Sequence, residues 1–345
     1  MQRLVPVVAE GRAFVDALQR AWAAGDAVLP VDPRLPAPAR DALLAAMRLD
    51  DDVESGDALV VATSGTTGEP KGVVLTHDAV LASATATSAR LAVDPWRDRW
   101  LSVLPLAHVG GLSVVTRALL TDTPLSFDPD DRRATLVSMV ATQVRRTDVS
   151  RFRAVVVGGA APPADLPPNA VTTYGMTETG SGVVYDGAPL DGVEVRAVDG
   201  ELQLRAPMLL RAYRDGRDPK DADGWLATGD AGEVADGRVT VHGRVGDVIV
   251  TGGEKVWPDP VEAVLRRVPG VAEVAVAGAP DEEWGQRVVA FIEVDADPPS
   301  LAELRDAVKA ELPAYAAPKE VVVVTSLPRT ALGKVQRALL AGRHA

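Results

Sequence analysis

Thr63-Ser64-Gly65-Thr66-Thr67-Gly68-Glu69-Pro70-Lys71-Gly72 is the stretch on which the reading of the fold turns. Its glycines let the backbone approach an anion closely, its hydroxyls and amides donate hydrogen bonds, and Lys71 adds charge. By that logic it is a cradle for a polyphosphate. It differs from a Walker A loop, in which Gly-Lys-Ser/Thr closes the turn; here Pro70 precedes Lys71 and Gly72 follows it. The plain alternative is a Gly/Ser/Thr surface loop. Apolar runs at residues 58–62 and 73–75 flank the stretch and read as buried strands, so the cradle joins two strands.

Working outward, strands and helices alternate. Residues 77–91 read as a helix, 100–104 as a strand, and 111–120 and 134–146 as helices. Residues 154–157 form a strand ending in Gly158-Gly159, and 171–174 a strand ending in Gly175. Strands that end in glycine or small polar residues suit an α/β sheet, whose ligands bind beyond the carboxyl ends of the strands. Upstream, the first 55 residues read as helix and loop, with a helix over 15–24 and a proline-rich connector over 30–38. Residues 192–243 are β-rich with Gly and Asp turns. After Arg244 the texture changes to a small α+β unit: a helix from Asp259-Pro260 to 267, strands over 271–277, 287–294 and 320–325, a helix over 301–312 opened by a Ser300/Glu303 capping box, and a last helix over 333–341.

Composition narrows the classes of function. The 345 residues carry 36 Lys and Arg against 48 Asp and Glu, a net charge of −12, which disfavours nucleic acid and anionic lipid as partners. Cysteine is absent, excluding disulfides, thiolate metal sites and a cysteine nucleophile. The four histidines, His77, His108, His242 and His344, are too scattered to build a metal site. With no targeting segment and no apolar run of membrane-spanning length, the expectation is a cytoplasmic protein.

Three further motifs follow the cradle. Tyr174-Gly175-Met176-Thr177-Glu178-Thr179 places an aromatic ring that can stack on a purine near Glu178, a hard oxygen ligand suited to Mg²⁺. Thr228-Gly229-Asp230 offers a carboxylate to the two hydroxyls of a ribose, and Gly243-Arg244 follows it. Pro328-Arg329-Thr330-Ala331-Leu332-Gly333-Lys334-Val335 presents a lysine in a glycine-containing loop. Taken singly, the last three are compatible with an ordinary turn or a solvated loop.

In this order the four motifs resemble the adenylate-forming superfamily of acyl-CoA synthetases, luciferases and peptide-synthetase adenylation domains, over about residues 58–340. The resemblance implies an α/β fold: a large N-terminal α/β domain over residues 1–243, N-terminally trimmed, a hinge at 244–247, and a small mobile α+β domain over 248–345 carrying Lys334. It implies that Thr63, Ser64, Gly65, Thr66, Thr67, Gly68 and Lys71 hold the β- and γ-phosphates of ATP, and that Gly158, Gly159 and Tyr174 line the adenine site. Thr177 would contact the α-phosphate, Glu178 the Mg²⁺, and Asp230 and Arg244 the ribose; Lys334 would reach the acyl carboxylate and the α-phosphate. Gly252-Gly253-Glu254-Lys255 resembles the segment that shapes the pantetheine tunnel for CoA, with Gly253 at its turn. One departure is Gly246, where the family usually carries Asp or Lys at its hinge; glycine widens the accessible backbone angles.

Pro105-Leu106-Ala107-His108-Val109-Gly110-Gly111-Leu112 falls where the family places its acyl-site gate, which makes His108 a candidate catalytic residue. That segment and residues 174–193 are similar to the o-succinylbenzoate–CoA ligases of menaquinone biosynthesis in their short actinobacterial form. The implied substrates are ATP, an aromatic dicarboxylic acid and CoA, with Mg²⁺, no nucleic acid and no membrane; the resemblance also allows a homodimer. Arg117, Ser113 and Ser181 are the candidates for reading the second carboxylate. Activation of another aromatic or fatty acid, or transfer to a carrier-protein thiol, is the alternative.

Overall fold

The computed structural model describes residues 2–64, 70–160, 162, 165–295, 297–329 and 335–341, Ser64 and Ala341 by backbone alone. The chain divides into two compact units. The first takes Met1–Arg196, Gln203–Ala227 and Val234–Val239; the second takes Ala197–Leu202, Thr228–Glu233 and Thr240–Ala345.

Two sheets build the first unit. One has five strands in the order Leu4–Val7, Ala27–Pro30, Asp57–Ser64, Pro70–Thr76 and Ala212–Tyr213. Its first three strands are parallel and the last two pair antiparallel. The other has seven strands, in the order Ala188–Pro189, Ser181–Tyr185, Ala170–Met176, Ala154–Val157, Leu136–Met139, Trp100–Leu101 and Leu125–Ser126. From Ala170–Met176 onward every pair is parallel, so the carboxyl ends of these strands share one rim. Helix His77–Arg90 leaves the cradle strand behind a Thr76 cap that accepts from the Ala79 N–H at 3.1 Å. Asp78 in its first turn and Arg90 in its last suit the helix dipole.

A four-stranded sheet runs in the order Glu194–Val198, Glu201–Arg205, Leu226–Ala235 and Arg238–Arg244. The second unit is built on a sheet ordered Glu254–Val256, Ile249–Thr251, Gly285–Val294 and Val271–Asp281, with Glu320–Val323 joined parallel to Gly285–Val294. Strand alternation sorts its two faces. Val274, Val276, Val288 and Ile292 bury against helices Pro258–Leu265 and Leu301–Glu311 through Leu265 and Leu304. Ala275, Ala277, Val289 and Phe291 bury against Leu327 and Leu340 on the opposite face. The Ser300/Glu303 box caps the second helix as expected, the Ser300 N–H donating to Glu303 at 2.8 Å.

Some local expectations need correction. Residues 134–146 are not one helix: Leu136–Met139 is a strand, followed by a short helix Ala141–Val144. The strand is buried along its whole length between parallel neighbours, so it lacks the two-residue alternation that would have marked it. The first 55 residues also hold two parallel strands, Leu4–Val7 and Ala27–Pro30, each only four residues long. The strand expected over 100–104 is confined to Trp100–Leu101, and the last helix runs over Arg337–Ala341. Gly333 lies outside the described residues.

Candidate active site

The strands that flank the cradle pair antiparallel: in Asp57–Ser64 and Pro70–Thr76, Thr63 faces Lys71 and Ser64 faces Pro70. Gly65, Thr66, Thr67 and Gly68 lie outside the described residues. Gly72 is an enforced glycine: a Cβ there would meet the side chains of Arg214 and Met47 at 2.8 Å.

Gly158 and Gly159 sit at the carboxyl end of Ala154–Val157, beside strand Ala170–Met176, which carries Tyr174. A Cβ on Gly175 would stand 2.2 Å from the Ser181 carbonyl oxygen, and Gly159 has φ +88°, so the sequence's glycines here answer close packing and a left-handed turn. Strand Ala170–Met176 ends in the tight turn Thr177–Thr179, which places Thr177 and Glu178 on the rim. The Thr179 hydroxyl braces this turn, donating to the Ser181 carbonyl at 2.6 Å and accepting from the Met176 N–H at 3.0 Å. Tyr213 donates to Glu178 Oε1 at 3.0 Å. Burial, then the Glu178 charge, pushes the Tyr213 phenol well above its usual range, so it remains a donor. Nothing in the local sequence singled out Tyr213, which lies 35 residues from Glu178.

Around this turn the site meets Mg²⁺ chemistry on simple terms. Among the described residues no group of three or more His, Cys, Asp or Glu stands together as a metal cage. A single carboxylate on a rim fits Mg²⁺, which binds through one or two carboxylates plus substrate phosphates and keeps several waters.

His108 precedes helix Val109–Leu120 on the same rim, beyond strand Trp100–Leu101. Burial holds its imidazole below the usual pKa, partly offset by the charge of Asp32, so the ring is neutral near pH 7. Gly111 lets this helix start against the preceding loop, since a Cβ there would stand 2.3 Å from the Pro105 carbonyl oxygen. In the last turn of the helix Arg117 is only 2% exposed. Its Nη2 donates to Ser181 Oγ at 3.0 Å and its guanidinium lies 4.9 Å from the centre of the Trp100 ring. Its Nε and Nη1 find no hydrogen-bond partner among the described residues. Burial lowers its pKa. A cavity of about 10 Å³, room for about one water, opens beside it and is lined by Ser113, Thr116, Leu112 and Gly180.

In the second unit Thr228-Gly229-Asp230 is no turn but lies within strand Leu226–Ala235, with Gly229 at φ +71°. Thr228 Oγ1 donates to the Leu202 carbonyl at 2.7 Å and accepts from the Asp230 N–H at 3.0 Å, while the Gly229 N–H donates to Glu201 at 2.8 Å. Asp230 pairs with Arg244 at 3.0 Å, joining two residues that the sequence separates. Gly252 and Gly253, both at positive φ, form the two-residue turn between Ile249–Thr251 and Glu254–Val256, with Thr251 facing Glu254. Lys334 lies outside the described residues.

Residues 48–213 match the family model of the AMP-binding enzyme, and residues 260–334 match that of the AMP-binding enzyme C-terminal domain. The chain is also 37% identical, over 99% of its length and 97% of the relative's, to a probable 2-succinylbenzoate–CoA ligase from Mycobacterium tuberculosis.

The chain belongs to the AMP-binding enzymes.

Solved AMP-binding enzymes share its architecture. An o-succinylbenzoate CoA synthetase (MenE) from Bacillus subtilis, in complex with the acyl-adenylate intermediate OSB-AMP, superposes with a TM-score of 0.86 at 26% identity, covering 98% of this chain and 88% of that one. The same Bacillus subtilis enzyme in complex with ATP and magnesium ion gives a TM-score of 0.84 at 26% identity, with 98% of this chain and 89% of that one covered. These AMP-binding enzymes confirm the α/β adenylate-forming fold with a large N-terminal part and a small C-terminal domain. Among the described residues no helix is long and apolar enough to cross a membrane.

Proposed function

We propose that this chain is an ATP- and Mg²⁺-dependent o-succinylbenzoate–CoA ligase of menaquinone biosynthesis, acting in the cytoplasm. The observation that carries the reading is the likeness of nearly the whole chain to 2-succinylbenzoate–CoA ligases. In the first step a carboxylate oxygen of the acid attacks the α-phosphorus of ATP; pyrophosphate leaves and an acyl-adenylate forms. In the second, the CoA thiolate attacks the acyl carbonyl and AMP leaves. The first step brings an anion to an anionic phosphorus, so charge must be neutralised at the point of reaction. Mg²⁺ supplies part of that neutralisation.

The residues take these parts. Thr63, Ser64, Gly65, Thr66, Thr67, Gly68 and Lys71 hold the outer phosphates. Gly158, Gly159 and Tyr174 form the adenine floor, Thr177 contacts the α-phosphate and Glu178 binds Mg²⁺. Asp230, already oriented by Arg244, accepts from the ribose hydroxyls. Lys334 bridges the acyl carboxylate and the α-phosphate. Rotation of the second domain about residues 244–247, eased by Gly246, exchanges Lys334 for the hairpin turn at Gly253, which borders the CoA tunnel. Neutral His108 gates the acyl site. Arg117 reads the second carboxylate of the acid with Ser113 and Ser181: a buried guanidinium with two nitrogens unpartnered among the described residues suits an anion that arrives with the substrate.

The test is ATP–pyrophosphate exchange and CoA-thioester formation with o-succinylbenzoate. Lys334→Ala is expected to lower adenylation roughly 10²- to 10³-fold, while thioester formation from pre-made acyl-adenylate largely survives. Equal loss in both steps would overturn the role of Lys334. Turnover only with fatty acids or simple benzoates would overturn the substrate.

A further inference from the structure

Glu178 is held from two directions by one stretch of chain. Its carbonyl oxygen accepts from the Leu210 N–H at 2.7 Å and its carboxylate Oε1 accepts from the Tyr213 hydroxyl at 3.0 Å. Tyr213 in turn is placed by the cradle strand: in strand Ala212–Tyr213 it lies opposite Val73, two residues beyond Lys71. Residues two apart on a strand point to the same face, and diagonal neighbours across a pair lie within reach of an aromatic ring. The Lys71 ammonium accordingly stands 5.7 Å from the centre of the Tyr213 ring, within cation–π range. Arg217 packs 4.9 Å from the same ring, and its carbonyl accepts from the Tyr213 N–H at 2.9 Å. Tyr213 thus touches both a residue assigned to the metal and a residue assigned to the phosphates.

We infer that Tyr213 is a positioning residue for the Mg²⁺–triphosphate: its hydroxyl fixes the rotamer of the Glu178 carboxylate, and its ring holds the Lys71 ammonium in register with that carboxylate. The inference rests on the reading of Glu178 as the magnesium ligand. The hydroxyl occupies Oε1, and among the described residues no side chain donates to Oε2, which leaves that oxygen as the one to meet the metal. Without the hydroxyl, Glu178 must order its side chain when the metal binds. Loss of such an outer partner typically weakens metal binding by about 10- to 100-fold.

The experiment is a Mg²⁺ titration of wild type, Tyr213→Phe, Tyr213→Leu and Glu178→Gln. It is followed by ATP–pyrophosphate exchange and, independently, by calorimetric binding of a non-hydrolysable ATP analogue at each Mg²⁺ concentration. Tyr213→Phe keeps the ring and removes only the donor. It is expected to raise the Mg²⁺ half-saturation about tenfold in both readouts, with thermal unfolding unmoved. Tyr213→Leu is expected to raise the KM for ATP as well, because Lys71 loses its ring. A Tyr213→Phe half-saturation equal to wild type, with that of Glu178→Gln shifted, overturns the role of Tyr213 alone. A Glu178→Gln half-saturation equal to wild type overturns the metal reading of Glu178 and the inference with it.

Discussion

Two arginines, the fully buried Arg117 of the first unit and the half-buried Arg337 of the second, are treated in opposite ways. In the second unit Arg337 is surrounded by carboxylates: it donates to Asp247 at 2.8 Å, to Asp259 at 2.6 Å and to Glu262 at 2.9 Å. Glu262, itself 3% exposed, also accepts from Arg266 and from the Val276 N–H. Burial pulls the Arg337 pKa down, but the surrounding carboxylates outweigh it and hold the pKa above the usual value. In the first unit Arg117 has Ser181 and the face of Trp100, and burial lowers its pKa with no carboxylate among the described residues to answer it. Desolvating a charge costs several kcal/mol unless it is paired. Arg337 recovers that cost inside the protein, which marks it as a structural tie. Arg117 does not among the described residues, as the proposed role of meeting the second carboxylate of the acid requires.

Breaking each arginine should therefore give different failures. Arg337→Met takes a shared cation from Asp247 and Asp259 and leaves Glu262 to Arg266 and the Val276 N–H; it is expected to cost roughly 1–3 kcal/mol of stability, seen as a lowered midpoint in urea unfolding. Arg117→Met removes a charge that no carboxylate among the described residues balances. Its stability is expected to stay within about 1 kcal/mol of wild type or to rise, while the KM for o-succinylbenzoate rises roughly 10- to 100-fold, the loss of a charged hydrogen bond of about 1.5–3 kcal/mol. If Arg117→Met unfolds the protein as severely as Arg337→Met, the distinction between them collapses. Ser181→Ala sharpens the comparison from the neighbour's side: the guanidinium keeps its charge but loses its one hydrogen bond, and a KM increase of about two- to tenfold is expected in steady-state assays.

The smallest effect is pH dependence. His77 and His108, both in the first unit, are held below the usual imidazole pKa chiefly by burial. A depressed folded pKa means that the unfolded chain takes up protons first. Stability is then at its plateau above the unfolded value of about 6.5 and declines as pH falls below it, towards the folded pKa. Denaturation midpoints measured from pH 8 down to pH 5 should fall across that window, and less steeply in a His77→Asn/His108→Asn variant. An identical slope in that variant would remove the histidines from the account.

The proposed site is legible in the sequence because the chemistry assigned to it is local: the stretch from Thr63 to Lys71 and the run from Tyr174 to Glu178 each hold, in consecutive residues, the groups proposed to meet phosphate, purine or metal. Helices with caps were equally plain, as at Ser300 and Glu303. Leu136–Met139 fits a helix segment equally well in sequence because a strand buried on both faces carries no two-residue alternation. Leu4–Val7 and Ala27–Pro30 leave little trace in the sequence because four residues hold too little pattern to declare a strand. Tyr213 and Trp100 acquire their roles only from partners far along the chain.

The sequence by itself determined the adenylate-forming class, the order of the motifs and the kinds of group available to each, since close anion approach needs glycine, neutralisation needs lysine and a hard cation needs a carboxylate. Tertiary structure decided which of those groups are pinned and which stand open. Asp230 meets Arg244, Glu178 meets Tyr213, and Arg117 is enclosed beside Ser181 with, among the described residues, no carboxylate in reach of its remaining N–H groups. Desolvation and pairing depend on what surrounds a charge in three dimensions, and spacing along a chain does not record that.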